Sequence, residues 1–450
     1  MRLDSSGGAP FHPPAHEFLR RLFFPEMISP GNPTPAPAAG ARHYRRMFVG
    51  ITVASFLALL VWPEFMATLG AGHAGVWFLD VNTLLASNDA VVQGLNPYLP
   101  NPLDYLRDSH AYSDWWLQLR HFGWGREDRL WLGALLNLVF FAAVFWRLKP
   151  QTFREALLAW MLVWSPPLML GFNRANPDLL IFALLTPVAL LLISPGMVAR
   201  ALAAALLVLA IGLKYYPVLG CALIFFTARS RRDLVALLLM WTVLGAGLAA
   251  NLWDDVQRTS GLMAVATELY TFGAAVLAIN LDAPKAVFIA GFSLALPAFA
   301  FGWFRLPFEI APEARQDFLD FVLGAMLVVT CFALTVSYTY RLVFTLMMVP
   351  WLFRLTRGDD RAGCRYGRLL LLSTVALLWM DGAAVLAAIL LNGNIPETTH
   401  TAFVKALAPC AHTAQWVWVL LLLVGLGSAA RFLFARWSLV PARLASDRLA

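Results

Sequence analysis

The chain has 450 residues, of which 60% are hydrophobic and only 14% charged, with a mean hydropathy of +0.66. A soluble chain carries roughly 25% charged residues, so this composition excludes an ordinary water-soluble enzyme and indicates a polytopic, all-α membrane protein. The formal charge of +7 is no sign of nucleic acid as a partner, because basic residues in a membrane protein are distributed by loop.

Residues 1–46 are rich in Pro, Gly and Ala and read as a flexible cytoplasmic tail without the apolar core of a signal peptide. A single transmembrane domain is expected over 47–440, followed by a short cytoplasmic tail over 441–450. A spanning helix needs about 20 mostly apolar residues. Such runs fall at 48–70, 130–147, 155–171, 178–195, 200–213, 216–228, 233–252, 284–303, 317–336, 339–355, 369–391 and 413–432, which predicts about twelve spans. The pair flanking Lys214 is short for this role and reads as tilted helices or half-helices meeting at a break. The basic stretches "ARHYRR", "RLKPQTFR", "ARSRRD", "FRLTRGDDRAGCRYGR" and "RFLFARW" all fall on one side of a twelve-span chain. The positive-inside rule makes that side cytoplasmic, with both termini inside. Of Cys221, Cys331, Cys364 and Cys410 only the last then faces outward, so no disulfide is expected.

The outer face receives the long segment 71–129 with "FNRANPD", "LKYYP", "SYTYR" and the loop around "NGNIPETTH". Arg174, Asp178, Lys214, Asp254 and Arg341 all fall at this edge. Ionisable groups near bilayer depth are costly and usually face a cavity or a partner, so the pattern predicts a polar site open to the outside.

Within 71–129 a helix is expected to begin near Asp80 and to stop at Gly94 ahead of "NPY". "DYLRDSHAYSDWWLQLRHFGW" reads as a second, interfacial amphipathic piece. Asp80 and Asp89 lie nine residues apart and are taken to share roughly one face of the helix. Asp80 has two readings: an N-cap accepting the amides of residues 82 or 83, or a partly desolvated general base. Asn176-Pro177-Asp178 reads as a turn and cap for the next helix. That leaves Arg174, which is either a lipid-phosphate anchor or a contact to a substrate phosphate. Lys214 and Arg341 have the same ambiguity between belt anchor and ligand. Together with Tyr215, Tyr216, Tyr338 and Tyr340 the three cations suit an anionic headgroup carrying a polar ring. No CxxC pair or P-loop occurs, and neither a metal nor another cofactor is expected.

Four stretches resemble glycosyltransferase family 87. "FLDVNTLLASNDAVVQGLNPY" is similar to the segment after the first span, "FNRANPDLLIFALL" to a G-N-x-D-L-L junction, and "LKYYPVLGCALIFF" to a K-x-Y-P segment. "SYTYRLVFTLMMVPWL" resembles a Tyr-Arg helix of related bacterial membrane proteins. The likeness covers residues 48–355, and its motifs are specific in combination rather than singly. It implies a C-type glycosyltransferase fold in a bacterial inner membrane. The enzyme would transfer a mannose-like sugar, with inversion, from a polyprenyl-phosphate donor to a glycan or glycolipid acceptor on the periplasmic face. Carried over by position, Asp80 matches the catalytic base, with Asp89 in reserve, and Arg174 and Lys214 match phosphate-region cations. "NRANPD" departs from the pattern where relatives more often carry Gly beside the Asn, which puts the role of Arg174 in doubt. Two other functions fit the same charges: a transporter or flippase for a glycolipid or organic anion, and an O-antigen ligase or polymerase.

Overall fold

Proline and glycine stand at several of the breaks between apolar runs, although Pro297, Pro350 and Pro409 lie inside helices. The computed structural model describes residues 39–69, 71, 76–260, 271–281, 284–334, 336–392 and 402–437. The expected tails, apart from residues 39–46, and most of the loop around "NGNIPETTH" lie outside the described residues. In chain order the helices are α1 (Ala39–Val61), α2 (Leu79–Val92), α3 (Arg129–Arg147), α4 (Phe153–Val163), α5 (Pro166–Arg174), α6 (Pro177–Leu185), α7 (Val188–Ile193) and α8 (Met197–Leu213). They continue with α9 (Arg231–Ser260), α10 (Ala274–Asn280), α11 (Pro284–Arg305), α12 (Arg315–Leu334), α13 (Thr345–Arg357), α14 (Arg361–Asn392) and α15 (Ala402–Trp437). A one-turn helix, Phe65–Thr68, follows α1, and the 3-10 segment Tyr216–Ala222 runs into a short helix, Leu223–Thr227. The strand pairing among the described residues is one two-residue antiparallel ladder, Thr271–Phe272 (β1) against Ser337–Tyr338 (β2).

Among the described residues seven helices are long and apolar enough to cross a bilayer, or eight if the bent pair α4–α5 counts as one span. Pro177–Ile193, Met197–Leu213 and Tyr216–Thr227 are apolar but shorter. The chain is thus an all-α protein of membrane character. The first helix begins at Ala39, so the last residues assigned to a flexible tail are helical.

Ion pairs sort by helix end. Arg147, at the end of α3, meets Asp317 (3.0 Å) and Asp320 near the start of α12, and Arg354 at the end of α13 meets Asp317 at 3.0 Å. Arg200 and Asp233, in the first turns of α8 and α9, pair at 2.7 Å. The other end of α8 carries Lys214, and the other end of α9 meets the segment 98–122 through Asn251 and Asp255. Between the two ends the core is aromatic: Phe140, Phe141, Trp164, Phe172 and Phe182 pack edge to face or tilted around the α4–α5 bend.

That bend has a sequence cause. Ser165 precedes two prolines and is extended (ψ 151°), because a residue before proline is pushed out of the helical region. The helix restarts at Pro166 turned by 53°. It ends at Ala175, which is left-handed (φ 46°), and Asn176 is extended ahead of Pro177, where α6 begins. Two breaks within a dozen residues aim Arg174 and Asn176 at α2.

Two expectations about α2 do not hold. Nine residues at 100° each is half a turn past two full turns, so Asp80 and Asp89 lie on opposite faces. Asp89 pairs with Arg126 at 3.0 Å, away from Asp80. Asp80 does not cap the helix either: the N-cap position is Phe78, left-handed at φ 65°, and no side chain caps it. The expected stop at Gly94 is present, with Gly94 left-handed (φ 75°) just beyond the helix.

Candidate functional site

The site is a chain of linked polar side chains buried where α2, the α5–α6 junction, the end of α8 and the segment 337–341 meet. Asp80 is only 3% exposed. Its Oδ1 accepts from Nη2 (2.7 Å) and Nε (2.8 Å) of Arg174, and its Oδ2 accepts from Nδ2 of Asn176. Arg174 is thereby accounted for in the resting protein: it neutralises a buried carboxylate, which would otherwise be prohibitively costly at this depth.

Asn176 acts three ways. Its Oδ1 accepts the backbone N–H of Asp178 (2.9 Å), making it the true N-cap of α6, and also accepts from Nζ of Lys214 at 3.3 Å. Asp178, also buried, takes the Lys214 ammonium and the Tyr216 hydroxyl (2.6 Å) on its Oδ1. Asp178 Oδ2 is buried without a hydrogen-bond partner among the described residues. Arg341 lies 5.6 Å from the centre of the Tyr216 ring, and the charge of Asp178 acts on it. Asp80, Arg174, Asn176, Asp178, Lys214 and Arg341 thus form one unit. Within it three cations face two carboxylates, and the carboxyl of Asp108 lies within range of the charges of Arg174 and Asp80.

Aromatic rings wall this unit. Tyr338 and Tyr340 stack at 5.5 Å, with Arg174 5.9 Å from the first and Lys214 5.9 Å from the second. Lys214 also lies 5.5 Å from the ring of Tyr112, a residue the sequence reading missed. Tyr215 does not join them; it faces Thr259 and Asp255 at the end of α9.

The segment 98–122 closes over the site and is itself clamped on both sides. Asp104 is buried and accepts from Asn82 (2.8 Å), Thr83 (3.0 Å) and the backbone N–H groups of Leu106 and Asp108 (3.0 Å each). On the other side Asp255 accepts the backbone N–H of Asp114 at 2.8 Å, and Asn251 accepts from the indole of Trp115 at 2.8 Å. Trp116 donates to the carbonyl of Leu213 at 3.1 Å, next to Lys214. Glycine is required at Gly212, where a Cβ would sit 2.2 Å from the Trp115 ring, and at Gly133, where it would sit 2.3 Å from Phe78. A cavity of about 560 Å³ opens between this segment and α9, lined by Asp114, Trp115, Asn251 and Asp255 among others.

Burial shifts several groups in the segment 98–122, which holds none of the long apolar helices. Desolvation pulls His110 down to about 4, against a weaker pull from the Ser113 carbonyl. Burial, with Asp255 alongside, pushes the Asp114 carboxyl up to about 6 despite Arg258. Asp108 is also raised, by burial and then by Asp104. Among the described residues no three His, Cys, Asp or Glu side chains cluster as metal ligands. Against models of known families, curated proteins and solved structures, nothing matches this chain.

Proposed function

We propose that this protein is a membrane glycosyltransferase that moves a mannose-like sugar from a polyprenyl-phosphate donor to a glycan or glycolipid acceptor, with inversion and with Asp80 as general base. In this reading the fold is C-type and the chain crosses the bilayer twelve times. The spans are the seven long helices, α4–α5 as one, Pro177–Ile193, Met197–Leu213, Tyr216–Thr227 and Thr345–Arg357. The basic end with Arg147 and Arg354 is cytoplasmic, both termini are inside, and the Asp80 unit is periplasmic.

The observation that carries the reading is the buried unit itself, with its three clustered cations beside stacked tyrosines. A sugar phosphodiester carries one negative charge and a polyol ring. The clustered cations complement the first and the tyrosines suit the second. Arg174 is the accessible member, its side chain 21% exposed. The donor phosphate displaces Asp80 from Arg174, and the same exchange releases a carboxylate to take the acceptor's proton. The hydroxyl oxygen then attacks the anomeric carbon, the carbon–oxygen bond to phosphate breaks, and the electron pair leaves on the polyprenyl phosphate. Arg174, Lys214 and Arg341 stabilise that leaving charge. Asp178 Oδ2 accepts a ligand hydroxyl, and the cavity beside Trp115 admits the acceptor. Because Asp89 pairs with Arg126 on the opposite face of α2, it has no part in this scheme.

The test is transfer from labelled polyprenyl-phosphate-mannose by the purified protein in nanodiscs. Transfer that is lost in Asp80→Asn, with far-UV circular dichroism unchanged, is expected. Full activity of that variant removes Asp80 from the chemistry.

A further inference from the structure

At the end of the molecule away from Asp80, two arginines from separate elements converge on one stretch of backbone, and a third, which follows that stretch, lies within range of their charges. Arg315 opens α12, whose 20 residues span about 30 Å to the segment that carries Tyr338 and Arg341. Its Nη2 donates to the carbonyl of Phe226 at 2.8 Å. Arg436, in the last turn of α15, donates to the same carbonyl and to that of Ala228. Arg229, just before α9, donates to the carbonyls of Ser194 (2.8 Å) and Pro195 (3.3 Å), and its charge acts on Arg315 together with that of Arg436. Asp233, the acid next to Arg229, is shared with Arg200.

Like charges gathered this closely repel unless something anionic lies between them. A guanidinium has five N–H donors. Arg315 commits one to the backbone, and Arg436 and Arg229 two each, so donors remain on all three. The position fits a lipid: all three lie at the ends of apolar helices, beside exposed Phe225 and Phe434. Trp437 marks the same level, donating to the carbonyl of Phe225 at 2.8 Å and lying 5.6 Å from Arg436. An indole with one wet and one apolar side belongs at the membrane interface.

We infer that Arg229, Arg315 and Arg436 form a binding site for the phosphate of an anionic lipid headgroup, independent of the chemistry at Asp80. Backbone carbonyls orient the guanidiniums, and the acyl chains lie along the apolar sides of α9 and α15. A free phosphate ion shares the headgroup chemistry but lacks the chains, so the two ligands separate experimentally.

The test is native mass spectrometry of the full-length protein in detergent, titrated with phosphatidylglycerol, with phosphatidylcholine, and with inorganic phosphate. Phosphatidylglycerol is expected to bind at least tenfold more tightly than phosphatidylcholine, with inorganic phosphate a poor competitor. Each arginine near a lipid surface is worth about fivefold in affinity, so Arg315→Gln with Arg436→Gln should weaken phosphatidylglycerol about 25-fold. Arg431→Gln removes the same charge from α15 and should stay within twofold, since its guanidinium lies against a different stretch of backbone, the carbonyls of Trp303 and Phe304 at the end of α11, and not the one that Arg315 and Arg436 share. Arg229→Gln, on an exposed side chain, gives the fivefold loss even if the double variant fails to fold. Equal affinity for the two lipids, or equal losses in Arg431→Gln and Arg229→Gln, overturns the site. Effective competition by inorganic phosphate overturns its assignment to a lipid.

Discussion

Asp80→Asn does more than remove a carboxylate. The new amide can present its oxygen to Arg174, but its NH2 group then faces the NH2 of Asn176, two donors pointing at each other in a buried site. The Arg174 guanidinium also loses its counter-charge. Breaking a fully buried pair costs about 3–5 kcal/mol. With Arg174 21% exposed, solvent recovers part of that, while the donor clash adds about 1 kcal/mol. The expected loss is about 3 kcal/mol, read by detergent-denaturant titration of helical circular dichroism. Arg174→Gln should cost a similar amount, since it strands the buried Asp80. The double variant removes both charges together and should cost only about 1–2 kcal/mol, because neutral groups replacing a buried pair are often tolerated. The coupling between the two positions is therefore several kcal/mol. Additivity of the two single losses within about 0.5 kcal/mol would show that the pair does not form as described. The double variant also separates fold from chemistry: it should be stable and, under the proposed function, inactive.

Other perturbations probe the surroundings. Asn176→Ala removes a helix cap worth about 1 kcal/mol and a buried hydrogen bond to Asp80 worth about as much, so a loss of about 2 kcal/mol is expected in the same titration. A loss below about 0.5 kcal/mol would mean that Asn176 is not the hub. Gly133→Val drives a side chain into Phe78, at the start of α2, and should cost about 1–3 kcal/mol. Faster amide exchange should follow in α2 first; unchanged exchange there contradicts the close approach. His110, held at about 4 in the folded protein against an ordinary 6.5, contributes stability that is present above pH 6.5 and lost as pH falls toward 4. Asp114, raised to about 6 from 3.8, works in the opposite direction, gaining stability as pH falls through 6. Amide exchange over residues 98–122, compared at pH 7 and 4.5, should therefore become less acid-sensitive in His110→Phe and more so in Asp114→Asn. Identical profiles in all three proteins would refute the assignment.

The membrane character was legible in the apolar runs, and so was the convergence of Arg174, Asp178, Lys214 and Arg341, because alternating spans leave little choice of end. Partners were not legible. Arg174 looked like a cation in search of an anion, yet its anion is Asp80, 94 residues earlier. No local pattern encodes a pair at that separation. Asp80 was equally ambiguous, since an acid in the first turn of a helix caps it by default, and only the left-handed Phe78 shifts it out of that position. The pairing of Asp80 with Asp89 failed on helix geometry rather than on missing information. Tyr112 could have been found only by asking which aromatic residues of the long loop return over the site.

The Asp80–Arg174 pair also bears on how the protein is made. At about 5–20 residues per second, the ribosome takes roughly 5–20 s to travel the 94 residues from the first partner to the second. For that interval the carboxylate has been made with no guanidinium to receive it. Lys214, which completes the neighbouring pair, emerges later still. The charges that pair in the finished protein are thus synthesised one sign at a time, acid before base.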